Sequence, residues 1–256
     1  MNPIFTLGKH PSAREGGSLL SQQSDRKPMN SILRDDVERF VRTVATSQDG
    51  VLAEMDHYAR EQGFPHVGHE VGATLRLLAR LVDARRAFEF GSGFGYSAYW
   101  IAAALPADGE IVLTEHDEDE LEMAREFMAR GGFDGLARYE EGDAIETAET
   151  HEGPLDFVLI DIEKDRYRDA FETIRDEVST GGVVVADNAM TSGSVDFEAL
   201  LAHAEGENPD MNGSTAGIAE YLDAARDDLA FETVVWPLGE GLAVSYRQSD
   251  IDVRDD

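Results

Sequence analysis

The chain has no cysteine, so disulfides and thiolate metal sites are both excluded, and any metal must sit on oxygen or imidazole. It has almost no lysine: Lys9, Lys27 and Lys164 stand alone among basic side chains that are otherwise arginine. It also lacks long hydrophobic runs. None approaches the roughly 18 to 20 apolar residues of a membrane-spanning helix. No apolar signal core stands near the start, so the sequence predicts a soluble, cytoplasmic protein without a membrane partner.

Acid fills the space that lysine leaves. Among 256 residues, 52 acidic against 22 basic side chains give a formal net charge of −30. Such a surface repels polyanions, which counts against a nucleic-acid partner, and no basic, aromatic-interleaved patch is visible. Concentrated counterions screen self-repulsion of this kind, so the composition predicts a halophilic, haloarchaeal source, with an ordinary acidic protein as the alternative.

Residues 1–30 mix proline, glycine and isolated charges and predict a flexible N-terminal arm ahead of a single domain over 31–256. Apolar residues at helical spacing predict helices over 31–46, 50–62 and 69–82, together an N-terminal helical segment over 31–82. From 87 to 247, apolar strand-like runs alternate with helical patterns. Strands are expected at 87–90, 110–114, 137–140, 156–160 and 183–186, with helices at 96–105, 118–130 and 166–177. The pair 231–236 and 242–247 reads as a closing antiparallel hairpin. This alternation predicts an α/β, Rossmann-like fold with a mostly parallel, seven-stranded sheet covered by helices on both faces. Residues 204–215 read as a polar surface loop, and Asn212-Gly213-Ser214 as a chance sequon.

The first predicted strand runs into Glu89-Phe90-Gly91-Ser92-Gly93-Phe94-Gly95-Tyr96-Ser97. Glycines at a strand-to-helix turn let backbone approach a ligand, and the free N–H groups of the helix start favour an anion. By themselves they also fit a plain tight turn. A dinucleotide site wants glycine at relative positions one, three and six, whereas here the sixth is Tyr96 and glycines fall at one, three and five. That pattern, with Glu89 two residues ahead, resembles the nucleotide motif of class I methyltransferases, and the resemblance implies that the helix start would meet the methionine carboxylate of S-adenosylmethionine. Glu115 ends the second strand, where a carboxylate can take both ribose hydroxyls, and Asp143 follows the third, within reach of an adenine edge. Either acid alone also fits a helix cap or a solvated residue.

Two more acids end strands: Asp161 after the fourth, and Asp187, followed by Asn188, after the fifth. Neighbouring strands lie about 4.8 Å apart, so such carboxylates can share one cation. Two carboxylates and an amide oxygen suit Mg²⁺ foremost, with Ca²⁺ or Mn²⁺ as alternatives; a capped turn is the competing explanation. Lys164 is the only lysine after Lys27. An amine can lose its proton where guanidinium cannot, which suggests a base, although one lysine can also be plain surface charge.

These motifs, with Gly142-Asp143-Ala144, Tyr167, Gly181-Gly182 and the hairpin from Trp236 to Leu242, resemble the cation-dependent O-methyltransferase family, which includes caffeoyl-CoA and catechol enzymes. The resemblance spans roughly residues 64–247. It implies that Asp161, Asp187 and Asn188 bind a divalent cation and that Lys164 is the general base, with Asp161 also counted as catalytic. Glu89, Gly91, Gly93, Gly95, Ser97, Glu115, Asp143 and Ala144 would line the S-adenosylmethionine site. The acceptor would be a small catechol-like or vicinal-diol molecule, and the resemblance suggests a homodimer. Two rival expectations are methylation of a modified tRNA base on the same fold and a cofactor-binding regulator without chemistry.

Overall fold

The computed structural model describes residues 32–45 and 47–249, so the expected arm over 1–30 lies outside the described residues. Three helices come first: α1 (Asp35–Val44), α2 (Gly50–Gln62) and α3 (Gly68–Leu81). Asp49 caps α2 by accepting from the Val51 and Leu52 backbone N–H groups, and Gly63, in a left-handed conformation, ends it. Then β1 (Arg86–Phe90), α4 (Tyr96–Ala102), β2 (Glu110–Glu115), α5 (Glu118–Gly131), β3 (Ala137–Glu141), α6 (Ala144–Thr150) and β4 (Leu155–Ile160) alternate. They are followed by α7 (Tyr167–Ile174), β5 (Val178–Ala186), α8 (Phe197–Ala204), α9 (Gly213–Asp227), β6 (Phe231–Trp236) and β7 (Leu242–Arg247).

The strands form one seven-stranded sheet in the order β3-β2-β1-β4-β5-β7-β6. Pairing is parallel from β3 to β5, and β7 runs antiparallel to both β5 and β6. The central strands are buried on both faces. Phe157 and Leu159 of β4 and Val183 and Val185 of β5 join one core with Leu52, Leu75, Trp100 and Met128. Their neighbours Val158, Ile160, Val184 and Ala186 join the other, with Tyr167, Phe171, Ile218 and Tyr221. This two-sided burial makes the strands read as unbroken apolar runs.

The structure adds what the sequence pattern left out. Residues 204–215 are not a loop throughout: α9 begins at Gly213 because the Asn212 side chain caps it, accepting from Thr215 N–H. The sequon asparagine is thus a helix cap. Helices α6, α8 and α9 were not expected, and β5 starts at Val178, before the expected 183, with a register shift against β4.

The strand order reverses between β1 and β4, since β1 leads to β2 on one side and the later strands lie on the other. A crevice opens at the carboxyl ends of strands flanking such a switch point.

Candidate active site

The crevice holds a cavity of about 970 Å³ at that rim of the sheet. Its floor begins with the turn after β1. Gly91 has φ +78°, and a Cβ there would lie 2.3 Å from the Asp161 carbonyl oxygen, so only glycine lets β1 and β4 end this close together. Gly95, at φ +83°, precedes α4, and a Cβ on it would stand 2.9 Å from the Ala124 Cβ; its role is close packing of α4 on α5. Between them, Ser92 N–H donates to the Thr114 carbonyl at 2.9 Å and Gly93 N–H to Glu115 Oε2 at 2.9 Å. Glu115 Oε1 accepts from the backbone N–H groups of His116 at 2.8 Å and Asp117 at 3.1 Å. His116 Nδ1 also lies 2.9 Å from Oε1, so of about four acceptor positions on the carboxylate one, on Oε2, is left for a ligand hydroxyl while the orientation of Glu115 is fixed.

Glu89 is wholly buried beneath this turn, and neither of its carboxylate oxygens has a hydrogen-bond partner of good geometry. Burial pushes the group up to about 7, with the nearby Ser97 and Ser92 hydroxyls opposing the shift. An uncompensated buried carboxyl beside a cavity is poised to accept a cationic or N–H group from a ligand.

The other half of the floor comes from β4 and β5. Ile160 and Ala186 are register partners, and the next residues are Asp161 and Asp187. Asp161 N–H donates to the Phe90 carbonyl at 3.0 Å and Asp187 N–H to the Ile160 carbonyl at 3.1 Å, so both acids leave the sheet side by side. Asp187 is 4% exposed, and its Oδ1 lacks a partner. Burial, then the Asp161 charge, push its carboxyl well above the usual carboxylate range, with the Asn188 N–H and Lys164 pulling the other way.

Lys164 opens a short 3₁₀ turn ahead of α7. Its Nζ donates to Asn188 Oδ1 at 2.6 Å, Tyr167 Oη at 2.6 Å, Asp161 Oδ1 at 3.1 Å and the Ile162 carbonyl at 3.3 Å. Tyr167 is fully buried and its hydroxyl is 3.4 Å from Asp161 Oδ1, so its side chain braces the lysine from below. From behind, α9 presses on the same turn: a Cβ at Gly217 would lie 2.3 Å from the Lys164 carbonyl oxygen.

Gly91, Gly93, Ser97, Glu115, Asp161, Lys164, Asp187 and Asn188 all line the one cavity. Glu89 sits under its floor, and Gly95 serves the helix packing behind it. Asp143 and Ala144 are not among the cavity's walls. Asp143 caps α6 by accepting from Ile145 and Glu146 N–H and pairs with Arg166 at 2.8 Å, which holds its carboxyl down at about 2. Sequence reasoning gave no role to Phe64, His66 and Glu70 on the wall near α3, to Arg42 on α1, or to Glu240 on the β6–β7 turn. Nothing in their local pattern marks them, because each is brought in by contacts distant in sequence.

The donor set fits a hard divalent cation: two carboxylates leaving adjacent strands, one with an unpartnered buried oxygen, and an amide oxygen beside them. Among the described residues no group of three or more His, Asp or Glu side chains gathers as a metal cluster, and the candidate third protein donor is the Asn188 amide. Also among the described residues, no helix is long and apolar enough to cross a membrane.

Comparison with known proteins agrees with this geometry. The chain is 30% identical over 173 residues to a catechol O-methyltransferase of Niastella koreensis, covering 65% of this chain and 78% of that one. It is 31% identical over 193 residues to a caffeoyl-CoA O-methyltransferase of Medicago sativa, covering 69% and 72%. Among solved structures, the O-methyltransferase TomG from Streptomyces achromogenes, in complex with S-adenosylmethionine, superposes with a TM-score of 0.70 at 25% identity, covering 84% of this chain and 96% of that one. An O-methyltransferase from Bacillus cereus shares the fold with a TM-score of 0.72 at 21% identity, covering 83% and 97%. A family model described as O-methyltransferase matches residues 43–248, nearly the whole described chain, and the protein belongs to that O-methyltransferase family.

Proposed function

We propose that the chain transfers the methyl group of S-adenosylmethionine to one oxygen of a small vicinal diol of the catechol kind, with a divalent cation, Mg²⁺ foremost, held by Asp161, Asp187 and Asn188. The observation that carries this reading is convergence. The glycine turn with Glu115, and the Asp161, Asp187, Asn188 and Lys164 set, face one cavity from adjacent strand ends.

The N–H groups of Gly91, Ser92, Gly93 and Gly95 are bonded within the protein, so it is the start of α4 that offers backbone N–H groups to a carboxylate, and the buried Glu89 below the turn offers an acceptor to an ammonium; together they match the two ends of an amino acid. Glu115 orients a ribose through the acceptor position left on Oε2. A cation bound at Asp161, Asp187 and Asn188 would supply Lewis acidity, making a neighbouring hydroxyl easier to ionise. Lys164, braced by Tyr167 and the α9 contact, stands where it can take that hydroxyl's proton at Nζ. Phe64, Pro65 and Val67 with Leu238 give the cavity an apolar wall that suits an aromatic ring and limits water. Rate acceleration then comes mainly from holding an oxyanion and a methyl donor in line.

Incubation with methyl-labelled S-adenosylmethionine, Mg²⁺ and either catechol or bulk tRNA tests the assignment. Label is expected in mono-methylated catechol. Label in tRNA and none in catechol would replace this acceptor class.

A further inference from the structure

The turn between β6 and β7 closes the cavity beside Asn188, and the reading above gives its acid no task. Glu240 Oε2 accepts from Asn188 Nδ2 at 2.7 Å, across 52 residues of chain. The same residue's backbone carbonyl accepts from Met190 N–H at 3.2 Å and Thr191 N–H at 2.8 Å, and Gly241's carbonyl takes Ala189 N–H at 2.8 Å. The turn is therefore stapled along the segment that follows Asp187.

Glycine on each side of the acid makes that approach possible. Gly239 has φ +62° and Gly241 φ +100°. A Cβ at Gly241 would lie 2.9 Å from the Met190 backbone nitrogen, and one at Gly239 would lie 2.6 Å from Val71 Cγ2. Asn188 itself adopts φ +54°, a left-handed conformation that asparagine tolerates better than most residues. Backbone on both sides is thus committed to bringing these two side chains together.

A carboxamide has two ends of nearly equal shape and opposite hydrogen-bonding sense. Only its oxygen suits a cation. Lys164 Nζ meets Asn188 Oδ1 on one side, and the Glu240 carboxylate meets Nδ2 on the other, so both partners select one rotamer.

We propose that Glu240 is a positioning residue: by holding Asn188 Nδ2 it keeps Oδ1 turned toward Asp161 and Lys164 as an oxygen donor for a divalent cation. The inference rests on the cation reading of this site. Outer partners that orient a metal ligand are typically worth about 10- to 100-fold in affinity.

Mn²⁺ binding to the full chain, read by loss of the free-ion electron paramagnetic resonance signal without acceptor, tests it. Glu240→Leu keeps side-chain bulk and removes the acceptor; Glu240→Gln keeps an acceptor oxygen and removes the charge. Glu240→Leu is expected to weaken Mn²⁺ binding about 10- to 100-fold, and Glu240→Gln to stay within about threefold of wild type. Both should bind S-adenosylmethionine as wild type does, which shows the turn is intact. Glu240→Ala repeats the test should the leucine variant melt early. Wild-type affinity in the leucine or alanine variant, or an equal loss in the glutamine variant, overturns the positioning role alone. A wild-type chain that takes up no Mn²⁺ overturns the cation reading and this inference together.

Discussion

Lys164 Nζ stands 2.6 Å from Asn188 Oδ1, joining the turn before α7 to the residue that follows the β5 carboxylate. The lysine and the proposed cation ligands are therefore one constellation, and a change at the lysine should be read in chemistry rather than in binding. Lys164→Arg retains positive charge but cannot yield a proton, and Lys164→Met retains neither. Both are expected to lower kcat with catechol by about 10²- to 10⁴-fold while S-adenosylmethionine affinity, from titration, stays near wild type. An arginine variant that keeps a tenth or more of the rate would remove Lys164 as the base.

The α9 contact predicts a remote effect. A methyl group at Gly217 would lie 2.3 Å from the Lys164 carbonyl oxygen and 2.5 Å from the Asp165 Cα, both backbone atoms with little room to give. Gly217→Ala should cost about 1–3 kcal/mol in urea unfolding. It should also lower kcat more than it raises the KM for S-adenosylmethionine, because the displaced turn carries the lysine and not the cofactor loop. Unchanged kcat in a destabilised variant would show that α9 does not set the lysine's place.

Buried Glu89 predicts a pH-dependent stability. Its folded-state value of about 7 lies above the ordinary 4.5, so the folded chain holds this proton where the unfolded chain has lost it. The contribution is fully present below about 4.5 and is lost as pH rises through about 7. Glu89→Gln, which is neutral at every pH, should flatten this part of the melting-temperature profile and gain relative to wild type above pH 7, by roughly 3 kcal/mol at most. The same variant should bind S-adenosylmethionine more weakly. Parallel profiles for the two proteins would contradict a buried, proton-holding Glu89.

The cavity wall also predicts which acceptors are poor. Among the described lining residues, the lysine and arginine side chains are Lys164 and Arg42. Arg42 already bonds to Glu70 at 2.6 Å and Glu38 at 3.0 Å, and Lys164 to Asp161. Acids outnumber them on the wall, so phosphates find no spare positive partner there. Catechol lacking phosphate should show kcat/KM at least about tenfold above an acyl-CoA thioester of a catechol acid, a difference of about 1.4 kcal/mol. Preference for the thioester in paired initial-rate assays would mean that basic groups elsewhere in the chain reach the site.

Much of this site was legible in the sequence because parallel sheets are regular. Strands buried on both faces show as apolar runs, and whatever follows adjacent runs must emerge at one rim; Asp161 and Asp187 obey that rule through the Ile160–Ala186 register. Asp143 leaves its strand in a different setting. It follows β3, an exposed edge strand, and its side chain turns to cap α6 and pair with Arg166. Helices α6 and α8 were missed because they are short, with seven and eight residues and little periodicity to detect. Helix α9 was not expected either: glycine and asparagine at its start read as loop signals, when Asn212 is its cap. Glu240 and Arg42 could not be found from local pattern, since their partners Asn188 and Glu70 lie 52 and 28 residues away.

The central claim is that Asp161 and Asp187 hold a cation that methyl transfer requires. Initial rates of catechol methylation by wild type, Asp161→Ala and Asp187→Ala, each chelator-treated and then titrated with Mg²⁺, test it most directly. Wild type should be inactive in chelator and recover with Mg²⁺, while both variants stay at least about 10²-fold slower at every Mg²⁺ concentration and still bind S-adenosylmethionine. Full wild-type turnover in excess chelator, or an alanine variant as active as wild type, would contradict the account.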